Sequence, residues 1–292
     1  EATGDDAIVA ELLADIRAGL KVFVATDAKR GSIALKQLVE TIQGASDSER
    51  KANLILINSD TSGGEYEVDF IRNINQRVLE ADQVIATPSM ATGVSIEVDH
   101  FDKVYGLFYG TVTDADAAQA LIRVRANIPR VVWCAVTGKN FSKVGKSEYP
   151  YKLKQTLKTR WEAEISVIRT SLTPDMIPGI EAFDWDNNPH LDLWTKLTAK
   201  TNAAMWHLRA NLLERLRYEG NTVEVVHLDK NSQVKDAIAN ARSLVKEEYY
   251  VKVATAKLLN KSDLAALQRQ EFISPEDTRA IEKTQIADFY CE

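Results

Sequence analysis

The sequence is poor in cysteine and has no long apolar run. Only two of its 292 residues are cysteines, Cys134 and Cys291, which excludes a disulfide framework and a zinc site made of thiolates alone. No apolar stretch approaches the ~20 residues that a membrane-spanning helix needs, and Glu1–Asp6 is too acidic and polar for a signal peptide. We therefore expect a cytoplasmic protein with two reduced thiols and no membrane partner.

Motifs that hold a nucleotide or a metal ion unaided are also missing. The sequence has no G-x-x-x-x-G-K-[ST] phosphate loop, no G-x-G-x-x-G turn after a strand and no acidic Mg²⁺ motif after a strand. Its four histidines show no metal-ligand spacing, so we predict no metal site. Cys134 lies in an apolar stretch, which predicts a small buried side chain rather than a nucleophile.

Alternating apolar and amphipathic segments predict an α/β fold for the first half of the chain. Hydrophobic residues make up 45% of the sequence and charged residues 27%, the balance of a folded soluble protein. Short apolar segments predict strands over Lys21–Thr26, Leu54–Asn58, Gln83–Thr87, Val104–Tyr109 and Arg130–Val136. Helical spacing predicts helices over Ala7–Leu20, Ile33–Ile42, Glu65–Leu79 and Asp114–Arg125. This alternation predicts a mostly parallel sheet with helices on both faces.

The second half of the sequence is predicted to be mainly helical. Helical spacing recurs over Lys154–Thr170, Leu191–Arg217, Gln233–Val245, Lys261–Gln270 and Pro275–Tyr290. Between the second and third of these, Thr222–Leu228 alternates like a lone strand or one arm of a hairpin. The pattern changes within residues 140–152. We therefore predict a sheet domain over residues 1–140 and a helical accessory domain over residues 141–292.

One segment of this acidic chain is strongly basic. The net charge is −6, yet residues 130–160 contain eight lysines and arginines against the single carboxylate of Glu148. Aromatic side chains, among them Phe141 and Tyr149, are interleaved with these cations. Such a segment is typical of a polyanion-binding surface, and a solvated flexible loop is the alternative. Its candidate nucleic-acid contacts are Lys139, Lys143 and Lys146.

Three further stretches combine hydroxyl, glycine and arginine residues. Thr26–Ser32 follows the first predicted strand, Thr87–Ile96 follows the third, and Gln119–Arg125 lies on the helix before the fifth. Parallel sheets bind ligands at the carboxyl ends of their strands, where hydroxyls, amides and arginines can reach phosphate oxygens. The alternative is that the arginines pair with carboxylates and the hydroxyls cap helices.

The order and spacing of these stretches resemble the second RecA-like domain of superfamily 2 helicases. KVFVATDAKRGS is similar to motif IV, VIATPSMATGVSI to motif V and QALIRVR to motif VI, all within residues 21–125. The sequence most resembles cyanobacterial plasmid replication proteins of the primase–helicase type and herpesvirus-type origin-binding helicases. The helical tail from Ala256 on is also similar to the extension of those replication proteins.

The resemblance implies a role for each motif. Arg123 and Arg125 would be catalytic arginine fingers that approach the triphosphate of ATP. The residues implied to lie near the nucleotide are Gln119, Gly93 and Ser95. The residues implied to contact a bound DNA strand are Thr26, Lys29, Ser59, Thr61, Thr87 and Thr92. Ile122 departs from the family pattern, which has glycine there.

The resemblance also implies that the chain works with a domain that it does not contain. In this family the phosphate loop and the Mg²⁺-binding carboxylates belong to the first, N-terminal RecA-like domain, so ATP and Mg²⁺ would be shared with that domain. The expected function is that of the C-terminal motor domain of an ATP-dependent DNA helicase in plasmid replication, inactive alone, with single-stranded or forked DNA as partner. Two alternatives stay open: a non-catalytic RecA-like module that binds nucleic acid or protein, and an independent α/β enzyme for a small phosphorylated substrate.

Overall fold

The described residues contain a five-stranded parallel sheet. They are residues 4–44, 53–61, 63–90, 93–168, 183–270 and 273–290 of a computed structural model. The strands are β1 (Val22–Thr26), β2 (Leu54–Ile57), β3 (Gln83–Ala86), β4 (Lys103–Phe108) and β5 (Arg130–Cys134). They lie in the order β2-β3-β1-β4-β5, and Val24 of β1 pairs with Ile85 of β3 and Tyr105 of β4. The predicted α/β class and the five predicted strands are confirmed.

Burial on both faces explains the continuous apolar sequences of the inner strands. Every residue of β1 and β3 is buried, and so is β4 from Val104 on. Gly106 of β4 lets a neighbouring helix come close, because a Cβ atom there would lie 2.8 Å from Cδ2 of Leu121. The sequence of the inner strands therefore reflects a sheet that is covered by helices on its two sides.

Eleven helices lie within the described residues. Those in the first half are α1 (Asp6–Arg17), α2 (Lys29–Gly44), α3 (Glu65–Arg72), α4 (Ile74–Arg77), which a 3-10 turn over Val78–Glu80 follows, and α5 (Asp114–Leu121). Those in the second half are α6 (Pro150–Ile168), α7 (Pro189–Trp206), α8 (Leu208–Tyr218), α9 (Ser232–Thr255), α10 (Lys261–Gln268) and α11 (Pro275–Tyr290). The second half is mainly helical, as predicted.

Two of the predicted helices are interrupted. Glu65–Leu79 is divided at Asn73, and Leu191–Arg217 is divided at His207. Both residues leave the helical region, with φ and ψ of −109° and 31° at Asn73 and −117° and 32° at His207. Apolar spacing continues across both breaks, so it did not reveal them.

Two other predicted elements differ in the structure. Helix α5 ends at Leu121 rather than at Arg125, because Val124 takes part in a β-bridge, which requires extended backbone. The lone strand predicted over Thr222–Leu228 is wrong: these residues form no strand, and Val225 and Val226 are exposed. A strand needs a ladder partner, and the described residues offer it none.

The C-terminal helices pack against helices of the sheet. Ala241 and Val245 of α9 are buried against Ala34 of α2. The start of the chain holds the same helix, since Asp5 forms an ion pair with Arg242 at 2.6 Å. Helix α9 is therefore part of the layer that covers the sheet.

The chain divides into two compact units, and the division differs from the predicted one. The first unit comprises Glu1–Phe108, Ala117–Trp133 and Glu224–Glu292, and the second comprises Tyr109–Asp116 and Cys134–Val223. The residues from Glu224 on thus belong with the sheet, whereas the sequence placed all of residues 141–292 in one accessory domain. No helix in the described ranges is long and apolar enough to cross a membrane.

A polar cluster holds α1 against the sheet. Lys103 and Tyr105 lie two residues apart on β4 and so share a face, where Lys103 Nζ lies 2.9 Å from Glu11 and 2.7 Å from Asp15. The buried Tyr105 hydroxyl donates to Asp15 at 2.5 Å. Burial opposes ionisation of Asp15, but hydrogen bonds from Lys103 and Tyr105 outweigh it and hold the pKa of Asp15 below its ordinary value.

We expect Asp15→Asn to lower the free energy of unfolding of the first unit by about 2 kcal/mol at neutral pH, because charge-assisted hydrogen bonds are lost. The lowered pKa makes this stabilisation complete above the pKa of Asp15 in the unfolded chain and removes it as the pH falls through the lower folded pKa. Amide hydrogen exchange in β1 and β4, measured at neutral pH and in acid, reports the free energy of unfolding of the first unit. Glu40→Gln, at an exposed pair with Lys36, is the control and should change little. An Asp15→Asn deficit that persists undiminished in acid would contradict the account.

Candidate functional site

Three loops meet at one edge of the sheet. Because β2, β3 and β1 are parallel neighbours, the residues that follow each strand lie side by side. The backbone N–H of Thr87 donates to the carbonyl of Ile57 at 2.9 Å and ties the ends of β3 and β2 together. We call this region the sheet edge: residues 26–29, 58–61 and 87–90. It brings together the predicted strand-contacting residues Thr26, Lys29, Ser59, Thr61 and Thr87.

Asn58 shapes the loop after β2. Its buried side chain accepts hydrogen bonds from the backbone N–H groups of Asp60 at 2.8 Å and Thr61 at 3.3 Å, as in an Asx turn. The Thr61 hydroxyl accepts from the N–H of Asn58 and donates to the carbonyl of Leu56, both at 3.0 Å. The Thr61 side chain is therefore engaged within the loop, and Ser59 is the exposed residue.

An ion pair joins the loops that follow β1 and β2. Lys29 Nζ lies 2.6 Å from Asp60 Oδ1, and the two side chains are 42% and 27% exposed. Ion pairs this open to solvent typically contribute ~1 kcal/mol or less. Lys29 can therefore exchange Asp60 for a phosphate oxygen at small cost.

Two of the predicted strand-contacting hydroxyls point into the protein. Thr26 Oγ1 donates to the carbonyl of Leu107 at 2.9 Å, and Thr87 Oγ1 donates to that of Ile57 at 3.3 Å. Both threonines are buried, and these bonds tie neighbouring strands together. In this arrangement neither hydroxyl faces a ligand. Thr92, also predicted to contact DNA, lies outside the described residues.

The residues Arg123–Arg125, here called the arginine segment, pair with the chain that follows β3. Ile96 and Val124 form a parallel bridge. The N–H of Ile96 donates to the carbonyl of Arg123 at 2.7 Å, and the N–H of Arg125 donates to that of Ile96 at 2.9 Å. The side chains of Ile96 and Val124 are completely buried. The bridge therefore brings two of the three sequence motifs into direct contact.

Arg123 is a buried cation. It is 9% exposed, and its Nη2 donates to the carbonyl of Met90 at 2.8 Å. No carboxylate in the described part of the chain forms an ion pair with it. Burial lowers the pKa of Arg123, but guanidinium groups keep their charge in proteins. The side chain thus retains both its charge and further N–H donors near the loop after β3.

Arg125 is the exposed member of the arginine segment. Its Nε donates to Ser95 Oγ at 2.9 Å, so a predicted catalytic residue and a predicted nucleotide-binding residue are in contact. Gly93, close by in sequence, is exposed and has a φ of +90°. Gln119 is exposed on α5. The arrangement offers one guanidinium to solvent and keeps the other inside.

Two residues that the sequence analysis did not single out hold this site in place. The Asn75 side chain donates to the carbonyl of Ser95 at 3.3 Å and accepts from the N–H of Glu97 at 2.7 Å.

The guanidinium of Arg130 donates to four carbonyls, those of Leu121, Val124, Ala126 and Ile128, at 2.7–3.3 Å. Burial lowers the pKa of Arg130. The only sequence signal for this role was the position of Arg130 at the start of a predicted strand. From the sequence, Arg130 was instead counted among the cations of the basic segment.

We expect Gly93→Ala to destabilise the first unit by about 1 kcal/mol, because an alanine at a φ of +90° adopts a left-handed conformation that its Cβ disfavours. A Cβ atom there would contact nothing within 4 Å, so any loss comes from backbone strain. Gly44→Ala is the matched control: it also adds its Cβ to open space, but at a helix end without the positive φ. Relative to the unsubstituted chain, the urea midpoints of the two variants should shift in different directions or by clearly different amounts. Equal midpoints would rule out the strain.

The remaining predicted nucleic-acid contacts belong to the other unit. Lys139, Lys143 and Lys146 lie in the loop between β5 and α6, and all three are exposed. The predicted contact set is thus divided between the sheet edge and this loop.

The side chains near the sheet edge suit phosphate oxygens better than a metal ion. Arg123, Arg125 and Lys29 are cations, and Ser95 adds a hydroxyl. No group of three or more histidine, cysteine or acidic side chains within the described ranges is placed to hold a metal. A cavity of about 590 Å³ lies elsewhere, among α9, α10 and α11, where charges of both signs line it.

Comparisons with known proteins supply a distant relative and no family. No protein-family model matches the chain. The chain is similar to an uncharacterized protein of Picosynechococcus sp., with 26% identity over 257 residues. The alignment covers 85% of this chain and 25% of the relative, so the chain spans about a quarter of the length of the curated relative that it matches.

Proposed function

We propose that this chain is the second RecA-like domain of an ATP-dependent DNA helicase. In this proposal the arginine segment contacts a nucleotide and the sheet edge contacts a nucleic-acid strand, and both ligands are also bound by another domain. The resemblance to plasmid replication proteins extends the proposal to DNA replication. What supports it above all is the Ile96–Val124 bridge, which joins the motif V and motif VI sequences at one place. The bridge places the backbone of the arginine segment directly beside the chain that follows β3.

In this proposal Arg125 is the residue that reaches the triphosphate. Its guanidinium is exposed and its Nε is held by Ser95, so the side chain is oriented before a ligand arrives. ATP, when bound, supplies the phosphoryl group whose charge increases at the transition state, and a guanidinium at that position stabilises it. Arg123 adds a second, buried positive charge to the arginine segment and holds the loop after β3 through the carbonyl of Met90.

The strand-contacting role falls to fewer residues than the motifs alone imply. Ser59 is exposed, and Lys29 is paired with the half-buried Asp60 through a side chain that is itself 42% exposed, so these two can contact a phosphodiester backbone. Thr26, Thr61 and Thr87 position the loops from inside.

The test compares ATP hydrolysis by the full-length product of the gene with that by the isolated 292-residue chain, with and without single-stranded and forked DNA. We expect the full-length protein to hydrolyse ATP and DNA to stimulate it. The isolated chain should hydrolyse none, since it has no phosphate loop. A full-length protein without DNA-stimulated hydrolysis would overturn the motor proposal. Turnover by the isolated chain that Arg125→Ala abolishes would overturn the requirement for a second domain.

A non-catalytic binding module is the second candidate, and the burial of Arg123 favours it. A side chain that is 9% exposed and bonded to Met90 can serve the fold alone. Under this reading Arg123 stabilises the loop after β3, and nucleic-acid affinity of the full-length protein does not respond to nucleotide. Affinity measured with and without a non-hydrolysable ATP analogue separates the two candidates.

A further inference from the structure

We infer that the loop between β5 and α6, together with the start of α6 and the end of α7, forms a binding surface for single-stranded nucleic acid that needs no nucleotide. The surface, called here the lysine–aromatic surface, consists of Phe141, Lys146, Tyr149, Tyr151, Lys152 and Trp206. All six residues belong to the second unit. The inference therefore does not depend on the sheet edge, the arginine segment or the motor proposal.

Asn202 gives this loop a fixed shape. Its side chain is completely buried, and its carbonyl oxygen accepts from the N–H of Ser142 at 3.1 Å. Its amide group donates to the carbonyls of Gly145 and Ser147, both at 2.8 Å. One side chain thus satisfies three backbone groups of the loop. A merely solvated loop, the alternative raised by the sequence, would not need a buried amide at its centre.

The aromatic rings of the surface are held by contacts, and those of Tyr149, Tyr151 and Trp206 are exposed. Phe141 packs on Trp206 with ring centroids 4.8 Å apart, and Trp206 Nε1 donates to the carbonyl of Lys146 at 2.8 Å. Tyr149 and Tyr151 lie with centroids 6.0 Å apart and are 55% and 63% exposed. Two pairs of rings, from the loop and from the adjoining ends of α6 and α7, provide faces on which bases can stack.

The cations of the surface lie against these rings. Lys146 Nζ is 4.9 Å from the centroid of Phe141, and Lys152 Nζ is 5.1 Å from that of Tyr149. Neither lysine forms an ion pair with a carboxylate among the residues that the structure describes. Glu148 is the one carboxylate of residues 130–160, and its Oε1 lies 3.5 Å from Nε2 of His207. Both ammonium groups are therefore available to phosphates while they remain beside the rings.

This combination favours single-stranded nucleic acid over other anionic partners. An acidic peptide would need the lysines but would have no use for the exposed rings of Tyr149, Tyr151 and Trp206. An anionic membrane also attracts tyrosine, tryptophan and lysine, so a measurement with anionic vesicles separates it from nucleic acid. Bases of a duplex are stacked on each other and do not present their faces. Unpaired bases with a phosphate between them match both components of the surface.

The experiment is fluorescence anisotropy of the intact 292-residue chain with labelled oligo(dT) and oligo(U), titrated with salt and without nucleotide. We expect Lys146→Ala with Lys152→Ala to weaken binding about tenfold and to reduce the slope of log affinity against log salt by about 1.4. Lys196→Ala with Lys200→Ala is the matched control, since both lysines are exposed on α7 in the same unit. That control should leave affinity and slope almost unchanged.

A second pair of variants tests stacking separately from charge. Tyr149→Ala should weaken binding about tenfold, and Tyr149→Phe should restore it because the ring is retained. No binding of either oligonucleotide at low salt would overturn the inference. So would a control pair that weakens binding as much as the surface pair does. Loss with the lysine variants but none with Tyr149→Ala, together with equal binding of polyglutamate or of vesicles containing phosphatidylserine, would identify a general polyanion surface and reject the stacking proposal.

Discussion

Under the proposed motor function, replacing Arg125 by alanine should lower the ATP turnover of the full-length protein by at least about 10³-fold, the smallest effect expected for loss of an arginine finger. The expectation rests on position: of the two arginines proposed as catalytic, Arg125 alone is exposed, and Ser95 holds its Nε. Affinity for single-stranded DNA should change little, because the residues proposed to contact the strand are elsewhere. Steady-state hydrolysis at saturating DNA is the measurement.

Three further variants make this result interpretable. Arg125→Lys should not restore turnover, since lysine lacks the planar fork of donors. Ser95→Ala should cost far less than Arg125→Ala, because it removes only the hydroxyl that orients the guanidinium. Arg72→Ala removes an exposed arginine on α3 and should be neutral. Turnover within tenfold of wild type in Arg125→Ala would show that Arg125 is not the finger.

The second large effect is on stability: Arg130→Ala should lower the free energy of unfolding of the first unit by about 3 kcal/mol. One guanidinium satisfies four carbonyls in the turn after α5, among them that of Val124 in the bridge. Alanine removes this donor from all four carbonyls, although that of Ala126 also accepts from the N–H of Ile128, and it removes the packing of the side chain. Hydrogen exchange of amides in β1 and β4 measures the loss, and exchange at Arg125 should speed up most.

Two comparisons separate this role from a general effect of charge. Arg130→Lys supplies one ammonium for four carbonyls and should recover only part of the loss. Arg72→Ala again serves as the neutral control. If Arg130→Ala and Arg72→Ala were equally stable, the carbonyl contacts of Arg130 would contribute nothing to the fold.

The strands and most helices could be predicted because burial on both faces leaves a direct trace in the sequence. The run Val22–Thr26 is apolar because helices cover both sides of β1, and the same holds for β3. Breaks within the helices left no such trace. Asn73 and His207 interrupt apolar spacing that continues on either side, so the pattern predicted one helix where there are two.

The candidate site could be predicted only in part, because contacts between distant residues have no local signature. The three stretches that combine hydroxyl, glycine and arginine residues could be singled out in the sequence, but nothing in them shows that Thr26 and Thr87 donate to carbonyls of neighbouring strands. Asn75 and Asn202 are polar residues on helices, where spacing predicts only an exposed face. Each instead holds a loop that is remote in sequence.

The Ile96–Val124 bridge makes the loop after β3 and Arg125 one mechanical element. Its two hydrogen bonds are made by backbone atoms, so the link does not depend on the rotamer of any side chain. A ligand that displaces the chain at Gly93–Ile96 must either break both bonds or carry Arg125 along with it. Force applied at one motif is thus transmitted to the other through the peptide backbone itself.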